Sequence, residues 1–274
     1  MFKNKGSLSD IAQKFFEPQP KLTTRSPLRY PGGKSRAVSM ILPHIPEGTE
    51  KVCSPFFGGG SVELALMAKG VSISGSDIFS PLVDFWQETI ERPNELAGMV
   101  QKYFPLSRAK FYSLQKRYTT IPDKLERAAV FFVLNRCSFS GTTLSGGMSP
   151  GHPRFTQSAI NRLRNFHSAG LKVRKADYKV ALRESKNMMA YLDPPYLIDG
   201  DNLYGNKWDT RKNFDHVKLA EILRERSNWI LSYNDCPQIQ ELYSHAKILK
   251  PEWTYGMSNG KKSEELLIIS PELS

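Results

Sequence analysis

Residues 188–196 read Met-Met-Ala-Tyr-Leu-Asp-Pro-Pro-Tyr, an apolar run that ends in an acidic residue and two prolines. The run Met188–Leu192 predicts a buried strand, and the prolines stiffen the backbone as it leaves the sheet. Proline has no N–H donor, so the carbonyls of this turn are left to accept hydrogen bonds. The turn therefore presents the Asp193 carboxylate, the Pro194 carbonyl and the Tyr196 ring at the carboxyl edge, where open α/β sheets bind ligands.

These three groups suit an exocyclic amino group on a planar ring. The carboxylate and the carbonyl supply two acceptors for its two N–H bonds, and the tyrosine supplies a stacking surface. The alternative is a proline-rich strand exit without a ligand, which the other motifs of the chain disfavour.

Short β-rich apolar runs alternate with helical patterns along the rest of the chain. The other runs lie around residues 52–53, 71–74, 171–173, 229–232, 248–249 and 266–269. Helices are predicted over Ser61–Lys69 and Phe214–Arg226. Strands that alternate with helices predict an α/β fold with a mostly parallel sheet.

The segment 91–170 has a different pattern, which predicts an insertion. Helices are predicted over Glu91–Tyr118 and Asp123–Asn135, and a long loop or hairpin over Ser138–Pro153. Ser158 is expected to cap a short helix that carries Ile160, Leu163 and Phe166.

We therefore expect three parts. Residues 1–25 form an N-terminal extension, 26–90 and 171–274 form an α/β domain, and 91–170 form a mostly helical insertion.

The net charge of +11 is concentrated in this insertion. Residues 101–175 contain 14 Lys or Arg against only Asp123 and Glu126, whereas the rest of the chain holds 24 basic and 25 acidic residues. A solvated basic face is the alternative, but confinement of the whole excess to one block favours a surface that binds a polyanion.

Composition excludes several other classes of protein. With 274 residues and 40% hydrophobic content, the chain has enough apolar material for a sizeable core and is not mainly disordered. It has neither a secretory signal nor an apolar run long enough to span a membrane. The three cysteines show no metal-ligand spacing, and the five histidines are scattered, so we expect no metal and a reducing, cytoplasmic compartment.

Two glycine-containing segments indicate close approach of a ligand to the backbone. The loop Ser54–Ser61 (SPFFGGGS) follows a predicted strand and opens a predicted helix, but Glu63 stands where a dinucleotide fingerprint needs its third glycine. Asp77 follows the next strand, where an acidic side chain can accept hydrogen bonds from ribose hydroxyls. In Pro31-Gly32-Gly33-Lys34-Ser35, Leu28 replaces the first glycine of a Walker sequence, which argues against ATP binding.

Taken together, these motifs resemble the Dam-type (D12 class, α-group) DNA adenine-N6 methyltransferases. The resemblance runs from about Pro27 to Ile269 and keeps the α-group order. It rests on the following segments: Arg29–Lys34 (RYPGGK), Pro55–Gly60 (PFFGGG), Asp77, Asn135-Arg136, Asp193–Tyr196 (DPPY), 258–262 (SNGKK) and 264–267 (EELL).

The resemblance implies a Rossmann-like, AdoMet-dependent methyltransferase sheet with an inserted helical DNA-binding subdomain, acting in the cytoplasm of a bacterium or of the bacterial host of a phage. The cofactor is S-adenosylmethionine (AdoMet) and the partner is double-stranded DNA. The residues matched to AdoMet binding are Tyr30, Lys34, Phe56, Gly58, Gly60, Asp77, Asp177, Tyr178 and Asp193. The catalytic tip comprises Asp193, Pro194, Pro195 and Tyr196. No residue identifies a companion restriction endonuclease.

DNA contacts are expected from the insertion, through Arg136, Phe139, Ser140, Thr142, Thr143, Arg154 and Arg162. Relatives that methylate GATC typically follow Asn-Arg with an aromatic residue, Asn-Gly-Leu and a nearby Arg. This chain has Phe139-Ser140-Gly141-Thr142-Thr143-Leu144 instead, so GATC is not predicted as its target. The alternatives are a cytosine-N4 or RNA adenine methyltransferase, or a DNA-binding relative without activity. Asp193 disfavours the cytosine-N4 enzymes, which more often have serine there.

Overall fold

The computed structural model describes residues 22–150, 154–197, 214–251 and 265–273, and this part of the chain contains one seven-stranded sheet. The strands are β1 Lys51–Ser54, β2 Ser72–Asp77, β3 Leu171–Lys175, β4 Met189–Leu192, β5 Trp229–Asn234, β6 Lys247–Leu249 and β7 Glu265–Ile269. Their order is β3-β2-β1-β4-β5-β7-β6. Strands β1 to β5 pair in parallel, and β7 runs antiparallel to β5 and β6. The predicted α/β class with a mostly parallel sheet is confirmed.

Helices cover both faces of the sheet. They are α1 Val38–Ile41, α2 Ser61–Met67, α3 Ser80–Glu91, α4 Pro93–Gln101, α5 Arg108–Arg117, α6 Lys124–Cys137, α7 Gln157–Arg164, α8 Tyr178–Glu184, α9 His216–Arg224 and α10 Pro237–Leu242. Every residue of β4 and β7 is buried. Because side chains alternate along a strand, Tyr191 and Ile230 join one hydrophobic cluster, whereas Leu192 and Leu231 join the cluster on the opposite face.

The strand order creates a switch point between β1 and β4. The chain runs outward from β1 to β2 and β3, and then returns to place β4 on the other side of β1. The loops that follow β1 and β4 therefore diverge at the carboxyl edge, where a crevice forms in open α/β sheets. Residues 55–60 and 193–197 flank this crevice.

The predicted insertion shares a hydrophobic core with the sheet. The ring of Phe85 in α3 stacks on Phe132 in α6, with centroids 5.8 Å apart, and Phe131 lies 5.9 Å from Phe85. Buried residues of α3 to α7 belong to the same cluster as Val52 and Ile73 of the sheet. The boundary proposed at residues 90 and 91 thus falls at the end of a helix that packs onto the insertion.

Two predicted details of the insertion were wrong. The segment Glu91–Tyr118 is not one helix, because α4 begins at Pro93 and ends at Gln101, and Ser107 caps the separate helix α5. Proline lacks the N–H that a helix interior needs, so Pro93 and Pro105 break the pattern. The cap of α7 is Thr156, whose hydroxyl accepts a hydrogen bond from the Ala159 N–H, rather than Ser158.

The described end of the predicted N-terminal extension is attached to the insertion. The Thr23 N–H donates to the His167 carbonyl, and the Thr23 hydroxyl accepts from the His167 N–H, both at 2.9 Å. Residues 1–21, Pro153 and the motif at 258–262 lie outside the described residues.

Candidate active site

The Asp193 carboxylate lies directly after β4 and binds the side chain of Lys34. The Lys34 ammonium is 2.8 Å from Oδ1 and 3.0 Å from Oδ2 of Asp193, and it also donates to the Gly32 carbonyl at 2.9 Å. Lys34 is 6% exposed, whereas the Asp193 side chain is 23% exposed. The carboxylate therefore faces the crevice, and its counter-ion is buried behind it.

The protonation of Asp193 depends on opposing effects. Burial raises the pKa of this carboxyl above its ordinary value, and the Lys34 ammonium and the Tyr196 hydroxyl act in the opposite direction. Lys34 thus favours the charged form of Asp193 against the opposing effect of burial.

Tyr196 is fixed from three directions. Its hydroxyl donates to Glu265 Oε1 at 2.6 Å, its ring stacks on Tyr233 with centroids 5.9 Å apart, and the Lys34 ammonium lies 5.0 Å from its ring centroid. Burial and the neighbouring carboxylates raise the pKa of Tyr196, so the hydroxyl remains a donor. Between Asp193 and Tyr196, Pro194 is buried and Pro195 is half-buried.

The glycine loop after β1 is built for close backbone contact. Gly58 and Gly60 have φ angles of 49° and 66°, which side chains other than glycine rarely adopt. A Cβ on Gly58 would lie 2.9 Å from the Tyr30 ring, and one on Gly60 would lie 2.9 Å from the Phe57 ring. Tyr30 therefore packs directly on the loop.

Asp77 ends β2 and holds the same loop. Its carboxylate accepts from the Gly58 N–H at 3.1 Å and from the Phe79 N–H at 3.0 Å. Burial raises the pKa of Asp77, and these backbone donors lower it. Asp77 thus lies beside the glycine loop, and the Trp86 indole N–H donates to the Gly58 carbonyl on its other side at 2.9 Å.

Three aromatic rings, one of them from the glycine loop, pack together into a wall. Phe56 stacks on Tyr178 at 5.5 Å, and Phe214 lies 5.5 Å from Phe56 and 5.3 Å from Tyr178. Asp177 caps α8 by accepting from the Lys179 N–H at 2.8 Å. The Tyr178 hydroxyl is buried and finds no hydrogen-bond partner among the described residues. An aromatic wall with an orphaned polar atom fits a planar heterocycle such as adenine.

Glu63 is a buried acid on the first turn of α2. Its Oε1 accepts from the Ser54 hydroxyl at 2.6 Å. Burial raises the pKa of Glu63 to about 7, and the negative charge of Asp193 acts in the same direction. Glu63 therefore belongs electrostatically to the group formed by Asp193 and Lys34.

The predicted DNA-contacting residues divide into exposed and buried ones. Phe139 is 64% exposed, and Thr142 is also exposed, with its hydroxyl donating to the Phe139 carbonyl at 2.9 Å. Ser140 lies in the same turn with a φ of 51°. Thr143 is only 6% exposed, and its hydroxyl donates to the Gly141 carbonyl at 2.9 Å and accepts from Asn135. Thr143 therefore stabilises the loop from within.

Four arginines gather beside this loop. Arg136 Nε donates to the Arg154 carbonyl at 2.8 Å, and Arg154 and Arg162 are exposed. Burial and the positive charges of Arg162, Arg29 and Arg154 lower the pKa of Arg136 to about 10. Burial has the largest effect on this pKa, and the contributions of Arg162, Arg29 and Arg154 show that positive charges are concentrated at this surface, which suits a polyanion.

Among the described residues, no group of three or more His, Cys, Asp or Glu side chains has the geometry of a metal site. Within the same part of the chain, no helix is both long and apolar enough to cross a membrane.

Three residues of the site were assigned no role from the sequence. Glu63 was used only to exclude a dinucleotide fingerprint. Glu265 and Asn135 are part of the motifs that carry the family resemblance, but no function was predicted for them. A signal existed for Glu265, because a carboxylate at the start of an otherwise apolar strand is costly to bury without a partner. No comparable signal in the sequence pointed to Asn135.

Comparisons with known proteins agree with this geometry. A family model for the D12 class N6 adenine-specific DNA methyltransferases matches residues 30–257. A DNA adenine methylase of Vibrio cholerae is 25% identical over 273 residues, covering 91% of this chain and 98% of the relative. A DNA N-6-adenine-methyltransferase of Escherichia phage P1 is 23% identical, covering 80% of this chain and 31% of the relative. The modification methylase StsI of Streptococcus sanguinis is 24% identical, covering 73% of this chain and 33% of the relative. Because the family model spans most of the chain and includes the crevice residues from Tyr30 to Tyr196, the chain belongs to the D12 class of N6 adenine-specific DNA methyltransferases.

Proposed function

We propose that the crevice at the carboxyl edge binds S-adenosylmethionine together with a flipped adenine from double-stranded DNA. The single observation that carries this proposal is the position of Asp193, which follows β4 at the switch point and is held by buried Lys34. An acidic acceptor, a rigid proline carbonyl and a fixed tyrosine ring meet there.

The residues around the glycine loop fit the cofactor. Gly58 and Gly60 give the loop its positive-φ turns, and Tyr30 packs against the loop. Asp77 offers a carboxylate for ribose hydroxyls, and Phe56 and Tyr178 offer a wall for the adenine ring. The Tyr178 hydroxyl, which has no hydrogen-bond partner in the described part of the chain, can donate to that ring. Asp177 precedes Tyr178 of the same wall, and Lys34 binds Asp193. When bound, S-adenosylmethionine supplies a methyl group already activated by its sulfonium.

The protein's own contribution is to prepare the nitrogen that is methylated. The lone pair of an exocyclic adenine nitrogen is delocalised into the ring, which makes it a poor nucleophile. Hydrogen bonds from its N–H groups to the Asp193 carboxylate and the Pro194 carbonyl favour a pyramidal nitrogen with a localised lone pair. Pro195 keeps the turn rigid, and Tyr196 holds the ring in plane by stacking.

The target nitrogen is inaccessible inside a duplex, so the base must leave the stack to reach this turn. The basic surface around Arg136, Arg154 and Arg162 is proposed to hold the DNA backbone during this step, and the turn around Phe139 to contact bases. Because the relatives come from bacteria and a phage, we place the reaction in the cytoplasm of a bacterium or of a phage-infected bacterium.

The test compares Asp193→Asn and Asp193→Ala with the wild-type enzyme. Both variants should lose methyl transfer from tritiated S-adenosylmethionine to DNA and should retain DNA binding in a gel-shift assay, because Asp193→Ala removes the acceptor and Asp193→Asn removes its negative charge. Digestion of wild-type product DNA should yield N6-methyladenine. Near-normal turnover by Asp193→Ala, or label on cytosine, would contradict the proposal.

A further inference from the structure

The Glu265 carboxylate lies behind the catalytic turn without facing the crevice. Glu265 begins β7 and pairs with Asn234 across the antiparallel register, and it is only 2% exposed. Its Oε1 accepts from the Tyr196 hydroxyl at 2.6 Å and lies 3.5 Å from the Lys34 ammonium. The Glu265 side chain therefore contacts both Lys34 and Tyr196, the two residues that interact with Asp193.

The burial of this group needs a reason. A carboxylate removed from water is strongly destabilising unless charge and hydrogen bonds compensate for it. Here the compensation comes from Tyr196 and from an ammonium that Asp193 also uses. Two carboxylates thus share one buried lysine. The attraction between Lys34 and Asp193 therefore depends on how strongly the Lys34 ammonium also interacts with Glu265.

The same contact determines where the Tyr196 ring lies. A tyrosine ring can rotate about its side-chain bonds, and Tyr233 restrains only one of its faces. The 2.6 Å hydrogen bond fixes the far end of the ring, and the Lys34 ammonium lies 5.0 Å from the ring centroid. Tyr233 is itself held through a hydrogen bond between its hydroxyl and His216 Nδ1.

We propose that Glu265 is a positioning residue for methyl transfer, which orients Tyr196 through its hydroxyl and sets the charge balance between Lys34 and Asp193. The inference rests on the proposed function, since it assumes that the target base stacks on Tyr196. Glu265 itself touches neither the base nor the cofactor.

Three variants separate the two effects. Glu265→Gln keeps an acceptor for the Tyr196 hydroxyl but removes the charge, Glu265→Ala removes both, and Tyr196→Phe removes only the hydroxyl. Glu265→Ala should lower kcat by about 10- to 100-fold, since small displacements of a reacting group have effects of this size. The affinity for S-adenosylmethionine should stay within about twofold of wild type. Exposed Glu272 provides the matched control, and Glu272→Gln should behave as wild type.

Two readouts distinguish positioning from a loss of folding. In the double variant Glu265→Ala, Tyr196→Phe, the loss in kcat should be clearly less than the product of the single losses, because both changes break one hydrogen bond. With 2-aminopurine at the target position, Glu265→Ala should give brighter fluorescence than wild type, because the flipped base stacks less well. Glu265→Gln should shift the acidic limb of the kcat profile to lower pH. Without the Glu265 charge, Asp193 is the only carboxylate of the pair left to attract the Lys34 ammonium, so the pKa of Asp193 falls.

The outcomes are separable from the function itself. If Asp193→Ala is inactive while Glu265→Ala and Glu265→Gln are folded and match wild type in kcat and pH profile, the role of Glu265 is refuted and the proposed function stands. If Asp193→Ala is active, the proposed function fails first. Multiplicative losses in the double variant would show that Glu265 does not act through Tyr196.

Discussion

The side chain of Asn135 holds both backbone polar groups of Arg29. The Arg29 N–H donates to Asn135 Oδ1 at 2.9 Å, and Asn135 Nδ2 donates to the Arg29 carbonyl at 2.8 Å. The same Nδ2 donates to Thr143 Oγ1 at 3.1 Å, and Asn135 is 1% exposed. One amide therefore connects the segment that carries Tyr30 to the loop proposed to contact DNA.

We expect Asn135→Asp to weaken both sites at once. An aspartate keeps the acceptor for the Arg29 N–H but cannot donate, which leaves the Arg29 carbonyl facing a buried carboxylate. The free energy of unfolding should fall by about 2–3 kcal/mol. The affinity for S-adenosylmethionine should also fall, because Tyr30 packs on Gly58. Chemical denaturation and calorimetric titration measure the two effects.

Asn161→Asp, an exposed asparagine of α7, is the control and should change neither quantity. A loss of stability with an unchanged cofactor affinity would show that Asn135 supports only the loop.

The pH dependence of catalysis should reveal the pairing of Lys34 with Asp193. The proposed mechanism needs the carboxylate form, so kcat should decline as the pH falls through the pKa of Asp193. Burial raises this pKa and Lys34 opposes the rise. Lys34→Met should therefore move the acidic limb of the kcat profile upward by about one to three pH units. The profile is measured at saturating DNA and cofactor, with exposed Lys69→Met as the control. An unmoved limb would mean that the ammonium does not act on Asp193.

Glu63 should make the protein less stable at neutral pH than at mildly acidic pH. Its pKa rises from an ordinary 4.5 to about 7 on folding, so the folded state keeps the proton while the unfolded chain loses it. The contribution of protonated Glu63 to the free energy of unfolding is fully present below pH 4.5 and is lost as the pH rises through about 7. Glu63→Gln removes this linkage and should raise the free energy of unfolding at pH 8, relative to pH 5, by up to about 3 kcal/mol.

Urea denaturation of Glu63→Gln at the two pH values provides the measurement. Glu91→Gln, at the exposed end of α3, should show the wild-type pH dependence. Equal effects of Glu63→Gln at pH 5 and pH 8 would count against a buried, titrating Glu63.

DNA binding should depend steeply on salt through the arginines beside Arg136. If these residues neutralise phosphates, log K falls linearly with log[salt], and each lost contact reduces the slope by about 1. Arg154→Glu and Arg162→Glu should therefore weaken binding to many sequences alike. Arg183→Glu, exposed on α8 outside the basic block, is the matched control. Filter binding at several salt concentrations measures the slope, and reversals without effect would indicate a merely solvated face.

The fold was largely predictable because its central strands, such as β4 and β5, are almost entirely buried. Runs such as Met189–Leu192 are apolar throughout, and the structure places this strand where the pattern put it. The helix breaks in the insertion were missed because apolar spacing continues across Pro93 and Pro105. Tertiary context also decided the cap of α7, where Thr156 and Ser158 are chemically equivalent candidates.

The site was predictable where one motif carries the chemistry and not where distant residues converge. Asp193 and Tyr196 are three residues apart along the chain, whereas Glu265 reaches Tyr196 only because β7 inserts between β5 and β6. Likewise, Thr142 and Thr143 are identical in type. Only the φ of 54° at Thr143 and the packing of Asn135 turn one hydroxyl inward and leave the other exposed.

The exposed residues of this turn, unlike buried Thr143, should determine which DNA sequence is methylated. Phosphate contacts do not distinguish sequences, so discrimination must come from groups that reach base edges. Phe139 and Thr142 are exposed on a turn whose shape is fixed by Gly141, where a Cβ would lie 2.2 Å from the Arg29 carbonyl oxygen. Thr142→Ala and Arg154→Ala should therefore relax the methylated motif more than they reduce the affinity for S-adenosylmethionine.

Phe139→Ala should slow base flipping, seen as a weaker 2-aminopurine signal on DNA binding, because its ring is free to occupy the space that the target base leaves. Thr143→Ala is the internal control: it removes a buried hydroxyl, so it should lower the melting temperature and leave the motif unchanged. Sequencing the methylated sites in DNA from cells that express each variant measures the motif. A motif that stays the same in Thr142→Ala and Arg154→Ala, or that changes in Thr143→Ala, would place the base-reading residues elsewhere in the chain.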